Sequence, residues 1–232
     1  MKVVKFTAQE LLLVLFVQLF FWSSQLRMAD LPGLYMDAIN PDYLAAQLLY
    51  PEIVNPSNAM PSAFGPILGG LYHGTQNLLV GVPVFSILGF NVFAVRVAQG
   101  LFGAAILVLV QALIKKVTGN TAIAVIAGLG LATELAFIAS FRTQNYIVLS
   151  GCVWHLGAMY FAITAAADKR RIFLSGVMTG LAIYSYFVFL FFVPAFIILG
   201  VLNTRSINCL KFWLFGLILG LQTYVLGYAS LV

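Results

Sequence analysis

The chain has 232 residues, of which 62% are hydrophobic and only 8% charged, and its mean hydropathy is +1.02. A soluble domain carries about 45–50% apolar and about 25% charged residues. Composition therefore excludes a soluble globular enzyme, a disordered tail and a disulfide-stapled secreted domain, and points to an integral membrane protein.

Twelve Lys and Arg against seven Asp and Glu leave a net charge of +5. The cations stand in short clusters between apolar runs, which is a topology signal rather than a nucleic-acid surface. Cys152 lies inside an apolar run and Cys209 beside a basic loop, with no CxxC motif, so neither a disulfide nor a redox or zinc site is expected.

The first apolar run, Ala8 to Leu26, follows Lys2 and Lys5. A basic start and an apolar core also describe a signal peptide, but no clear small-x-small cleavage site follows, and the run is long enough to span. It reads as a first transmembrane helix that starts in the cytoplasm. Residues 27–90 then change character, holding seven of the eight prolines and four of the seven acids. Proline removes a backbone donor and breaks helix interiors, so this stretch is expected to be a large external loop with short amphipathic helices. Its best helical piece is Tyr43 to Leu49, between Pro41 and Pro51. Leu78 to Phe90, interrupted by Gly81 and Pro83, is too short to span and is expected to lie at the interface or re-enter.

Residues 91–232 form the expected transmembrane bundle, with spans near 91–114, 121–139, 145–167, 172–186, 188–202 and 212–232. The stretch from Ile172 to Thr204 has no formal charge over 33 residues. As one helix it would be about 50 Å long against a hydrocarbon core of about 30 Å. Two short helices turning near Tyr184-Ser185-Tyr186 fit better. The fold class is thus an all-α polytopic bundle of about seven spans. With the N-terminus inside, Lys2, Lys5, Lys115, Lys116, Lys169, Arg170, Arg171, Arg205 and Lys211 face the cytoplasm, and only Arg27, Arg96 and Arg142 face out. Because the chain ends in an apolar helix without a polar tail, a truncated longer protein is expected.

The acids of the external loop are the first candidates for chemistry. Asp37 and Asp42 are five residues apart, about 140° of rotation on a helix, so they do not share a helical face. Asp42 stands where an Asp caps the Tyr43 helix, whereas Asp37 reads either as a solvated loop acid or as a functional one. Among the cations, Arg142 and Arg96 are either interfacial anchors that snorkel to headgroups or anion ligands. Glu134 in the third span can line a cavity or pair with a cation. His155 reads as a neutral imidazole between helices. His73, with Tyr72 and Gly74, is a loop residue within reach of a substrate. Two histidines in separate regions give no zinc spacing, and a divalent cation on Asp37 and Asp42 would need more oxygen ligands, so no cofactor is expected.

The ordered set of features resembles the GT-C class of membrane glycosyltransferases, and more narrowly the protein O-mannosyltransferase and aminoarabinose-transferase-like group. The family's first loop often reads Asp-Glu-small-x-aromatic, followed by an Ala and a Leu-Leu pair. With Asp37 on the motif Asp, Ala45 falls on the motif Ala and Leu48-Leu49 on the pair. Ala38 and Pro41 depart from it, standing where the family often has Glu and an aromatic. The run from Pro66 through Tyr72-His73-Gly74, Val82-Pro83, Leu88-Gly89-Phe90-Asn91 and Val95-Arg96 is similar to the family's approach to its second helix. Ser140-Phe141-Arg142-Thr143-Gln144 resembles its second external loop, and Gly176 to Ala182 with Pro194 its short fifth and sixth helices.

The resemblance implies transfer of a sugar from a polyprenyl-phosphate donor to an acceptor hydroxyl on a glycan, lipid or protein, outside the cytoplasm and with inversion. It makes Asp37 the base, with Asp42 beside it in the loop. A carboxylate within reach of a hydroxyl accepts its proton, and a departing phosphate needs cations where its charge develops. Arg142, then Arg96, would supply the guanidinium, and His73, Tyr72 and Glu134 further substrate contacts. The location implied is a bacterial inner membrane. Two other classes compete: a transporter or flippase for a lipid-linked sugar, which usually places ionisable groups near the midplane, and a non-catalytic subunit of an envelope complex.

Overall fold

The computed structural model describes residues 6–27, 29–30, 45–52, 74–144, 146–166, 168–204 and 207–229. Asp37, Asp42, Tyr72 and His73 lie outside the described residues. The described part is a bundle of helices. In order these are α1 (Ala8–Leu26), α2 (Leu78–Leu88), α3 (Val92–Thr118), α4 (Thr121–Thr133), α5 (Leu135–Ala139), α6 (Tyr146–Thr164), α7 (Lys169–Ser185), α8 (Val193–Thr204) and α9 (Leu210–Ala229). A π-helical turn, Ser140–Gln144, precedes α6, and a 3₁₀ segment, Phe187–Phe192, joins α7 to α8. A short helical piece also covers 45–49.

The helix ends follow local chemistry. Thr7 and Glu10 form a capping box at the start of α1, with Thr7 N donating to Glu10 Oε2 at 2.7 Å and Glu10 N to Thr7 Oγ1 at 3.3 Å. Asn91 caps α3 by accepting Ala94 N at 2.9 Å, and Asn120 caps α4 by accepting Ala122 N at 2.8 Å. Between them α3 ends at Gly119, whose φ of 69° is the left-handed conformation glycine adopts without strain. Lys115 and Lys116 occupy the last turn of α3, where cations complement the helix dipole. Glu10 meets Lys115 at 2.7 Å and accepts the Thr121 hydroxyl, joining three helix ends at one end of the bundle.

Two features depart from the sequence expectation, and a third follows it. Helix α2 runs unbroken through Gly81 and Pro83. The run at 121–139 is two helices bent by 58° at Glu134. The uncharged stretch divides at Tyr186, whose extended φ of −155° and ψ of 124° end α7, so it is two helices as its length requires, with a 3₁₀ segment between them.

By length and composition α1 and α3 suffice to cross a membrane, and α4 with α5 would add a third crossing if the bent pair is one span. Large apolar side chains such as Leu12, Leu19, Ile126, Phe215 and Ile218 face outward, as expected where lipid is the solvent. The chain is an all-α integral membrane protein.

Inside, α1, α3, α4 and the π turn share a core of Val17, Phe21, Ile106, Leu107, Ala132 and Phe141. A second core, with Ala158, Ile172, Phe196 and Trp213, joins α6 to α9. Its tightest seam is α7 on α9. There Gly176 and Gly180 face Gly216 and Gly220, four residues apart on each helix. A Cβ on Gly176 would lie 2.1 Å from Trp213 O, one on Gly216 2.2 Å from Phe173 O, and one on Gly220 2.3 Å from Val177 O. This is small-xxx-small packing, in which two helix backbones touch.

The obstructing atoms are backbone and cannot rotate away. Gly216→Ala should therefore destabilise by about 3 kcal/mol or more, the upper end of ordinary overpacking. Gly130→Ala, whose added Cβ meets nothing within 4 Å, should be neutral or stabilise by about 0.5–1 kcal/mol. Unfolding of the two variants in detergent micelles checks the contrast; equal stability would remove the seam from the account.

Candidate functional site at the arginine end of the bundle

At the end of the bundle opposite Glu10 and Lys115, three arginines meet. Arg96, on the second turn of α3, is fully buried. Its Nε donates to Ala29 O at 3.2 Å and its Nη1 to Arg142 O. Arg142, in the π turn, donates from Nη2 to Arg27 O. Gln25, also fully buried, reaches from the last turns of α1, with Nε2 3.4 Å from Phe141 O and 3.5 Å from Arg96 O. Two guanidinium groups and one amide thus bind the chain that follows α1 to the turn that carries Arg142.

Local composition explains this knot. A π turn leaves main-chain carbonyls outside the regular α-helical pattern, and in a membrane each needs a partner. Phe141 anchors the turn from below, edge-on to Phe21 at 5.8 Å and to Phe137 at 4.8 Å. Asp30 and Arg142 are the charged groups whose fields act on Arg96, with opposite sign. The end is therefore cationic, with Arg27, Arg96 and Arg142 against Asp30.

The loop returns to the bundle at two further places. Ala45 and Ala46 are fully buried, and Ala45 packs with Phe85 of α2 and with Ala94, Val95 and Ala98 on the first turns of α3. Tyr50 Oη donates to Phe85 O at 2.9 Å. At the loop's end, Gly74 N donates to Ser185 O at 3.2 Å, and Thr75 Oγ1 and Tyr184 Oη share a bond of 3.1 Å. Gln76 Nε2 donates to Leu181 O at 2.8 Å while its Oε1 accepts Trp154 Nε1 at 2.7 Å. Gly74 has no room for a side chain, since a Cβ would lie 2.6 Å from the Tyr184 ring. The end of the loop, immediately after His73, is thereby fixed on α6 and α7.

Of the residues singled out in the sequence, Arg96 and Arg142 are brought together. Arg96 is buried rather than extended outward as an anchor, and it donates to main-chain carbonyls. Glu134 is exposed at the α4–α5 bend, where its carboxylate caps α5 by accepting Phe137 N at 2.6 Å. His155 sits among the rings of Phe189, Phe192 and Phe196, with centroids 4.7–5.5 Å away. Cys152 and Cys209 are free thiols. The polar residues that sequence reasoning missed are Gln25 and Gln76. The signal for Gln25 was present, an amide among the apolar residues of a span; the partners of Gln76 on α6 and α7 are too distant in sequence to be read.

The profile of the dolichyl-phosphate-mannose-protein mannosyltransferase family matches residues 83–227. This stretch runs from α2 to α9 and includes Arg96, Arg142 and both glycine pairs. No curated protein and no solved structure matches the chain. The match covers well over half of the sequence, and with the helical membrane architecture it identifies the chain as a member of the dolichyl-phosphate-mannose-protein mannosyltransferase family, a GT-C membrane glycosyltransferase that uses a lipid-linked sugar.

Proposed function

We propose that the chain transfers a sugar from a polyprenyl phosphate to an acceptor hydroxyl at the arginine end of the bundle, with inversion at the anomeric carbon. Asp37 takes the acceptor proton, the acceptor oxygen bonds to the anomeric carbon, and the bond from that carbon to the phosphate oxygen breaks. Arg142 holds the departing phosphate, whose charge it is suited to bind in bidentate fashion. Arg96 acts through Arg142 by holding its main chain. Asp42 stands beside the base as the cap of the following helix, and His73, Tyr72 and Glu134 contribute to the donor or acceptor surface. In a bacterial inner membrane the arginine end faces away from the cytoplasm, with the N-terminus inside and about seven crossings, in keeping with the segregation of lysines to the other end.

One observation carries this reading. In the chain Asp37 stands seven residues after Asp30, whose charge acts on Arg96, and eight before Ala45, which packs on Ala94, Val95 and Ala98 in the first turns of the helix that carries Arg96. The acid-bearing segment thus starts at the cationic cluster and finishes on the same helix end. A general base and a phosphate ligand need that proximity.

The test is sugar transfer in membranes carrying the protein. Asp37→Asn should lower kcat by about 100-fold or more, the usual contribution of a positioned base, with donor KM little changed. Arg142→Ala should weaken donor use by about 10-fold or more, as loss of a charge-assisted bond to phosphate does, and appear chiefly in KM. Full transfer by Asp37→Asn would remove the base assignment. Flux of a lipid-linked sugar that survived Asp37→Asn but was lost in Glu134→Gln or His155→Ala would replace the transferase by a transporter.

A further inference from the structure

The three arginines at one end of the bundle are used differently. Arg96 is fully buried and donates to the carbonyls of Ala29 and Arg142. Arg142 gives its Nη2 donor to the carbonyl of Arg27. Arg27 is the C-cap of α1 and is exposed. Its main chain is engaged, with N donating to Ser23 O at 3.2 Å and O accepting from Arg142. Its guanidinium has no ion-pair or hydrogen-bond partner among the described residues, although the side chain branches from the backbone right beside the carbonyl that Arg142 holds. That contact lies at the surface, so a ligand that reaches Arg142 there arrives beside Arg27.

Charge balance points the same way. The ion pairs among the described residues, Lys115 with Glu10 at 2.7 Å and Arg171 with Asp168 at 3.4 Å, are both at the lysine end. At the arginine end the field of Asp30 acts on Arg96, and that of Arg142 opposes it, yet Asp30 forms an ion pair with none of the three arginines. Among the described residues, three positive charges thus face one negative charge. Like charges held together repel, and an anion bound beside them offsets that cost. A phosphate suits the position, because guanidinium groups bind its oxygens through charge-assisted hydrogen bonds.

We infer that Arg27 is a second phosphate ligand, one that grips the departing polyprenyl phosphate rather than the intact donor. The inference rests on the transferase reading above. In the donor the phosphate is a diester with a single negative charge. As the acceptor oxygen bonds to the anomeric carbon and the acceptor proton passes to Asp37, the bond from that carbon to the phosphate oxygen breaks and leaves its electron pair on the oxygen. The product is a monoester with a second negative charge. Arg142, with one donor committed to main chain, meets the first charge. Arg27, whose side chain is uncommitted, meets the charge that exists only once the bond is breaking. An interaction of that kind raises kcat rather than lowering KM. An arginine that merely anchors the helix at the membrane surface has no such preference, because the surrounding phospholipid headgroups are themselves diesters.

The experiment is a binding titration of the 232-residue chain in mild detergent, read by native mass spectrometry, with two probes. Farnesyl phosphate is a monoester that carries its second charge at about pH 8, above a second phosphate pKa of about 6; its methyl ester is a diester and does not. The wild-type chain should hold the monoester about five-fold or more tighter than the diester, as a further charge-assisted bond does. Arg27→Gln should erase that preference, weakening the monoester by about five-fold and the diester by less than about two-fold; the retained diester also reports that the variant is folded. Arg142→Ala should weaken both probes. Equal loss of both probes in Arg27→Gln, loss of neither, or a wild-type chain that does not distinguish them would overturn the role of Arg27. Unchanged binding of both probes in Arg142→Ala, or no binding of either by the wild type, would instead overturn the phosphate site of the transferase reading, and the role of Arg27 with it.

Discussion

The structure depends on the contact of α7 with α9 through their glycines. In water, helices are driven together by burying apolar faces, but a lipid solvent is as apolar as leucine and gives no such drive. What remains is packing quality, and the pairs Gly176/Gly180 and Gly216/Gly220 let main chain touch main chain. With α7 so fixed, its far end presents the carbonyls of Leu181 and Ser185 and the hydroxyl of Tyr184 to residues 74–76. Those residues set the start of α2, and α2 packs on the first turns of α3 with Ala45. A seam in the second half of the chain thereby fixes one end of a loop from the first half.

The other end of the loop is held by charge rather than by shape. An arginine buried in a membrane protein needs donors satisfied and charge offset. Arg96 meets that need with the carbonyls of Ala29 and Arg142, and so holds the chain that follows α1 in register with the π turn. Regular helices have no spare carbonyls to offer. The irregular π turn at Ser140–Gln144 and the chain just beyond α1 do, which is why the cationic knot forms there. At the opposite end Glu10 performs the reverse task, meeting Lys115 and Thr121 while capping its own helix.

Much of the fold was legible because membrane sequences are constrained by simple quantities. A 33-residue uncharged stretch is too long for one crossing, and the break at Tyr186 follows from that length. Lys115 and Lys116 marked the end of α3 to within a few residues. The grouping of Arg27, Arg96 and Arg142 apart from the lysines was visible as a charge pattern, and the structure adds that all three belong to one cluster. The bend at Glu134 was not legible, because the single acid in the otherwise apolar run 121–139 reads as a cavity-lining or cation-pairing group rather than as the cap that starts a new helix. Nor was the passage of α2 through Pro83, a residue that usually ends a helix. The four-residue glycine spacing stood in the sequence, yet it names no partner by itself; two helices far apart in the chain have to be laid side by side before it means contact.

The extent of the family match carries a physical implication. It begins at Pro83 and ends at Gly227, so it covers the scaffold, the π turn and both of the buried or half-buried arginines that face the loop, and leaves out Asp37. A lipid phosphate is chemically constant, whereas acceptor hydroxyls differ in size, charge and setting. Elements that grip a constant group can be kept on rigid helices, where Arg96 and Gln25 fix the turn that bears Arg142. Elements that meet a variable group belong on a loop, provided its ends are tied to the same cluster. Here Ala29 is tied by the Arg96 side chain, Ala45 by the faces of α2 and α3, and Gly74 by the Ser185 main chain of α7, so both ends of the loop are fixed on the scaffold independently of the sequence between them.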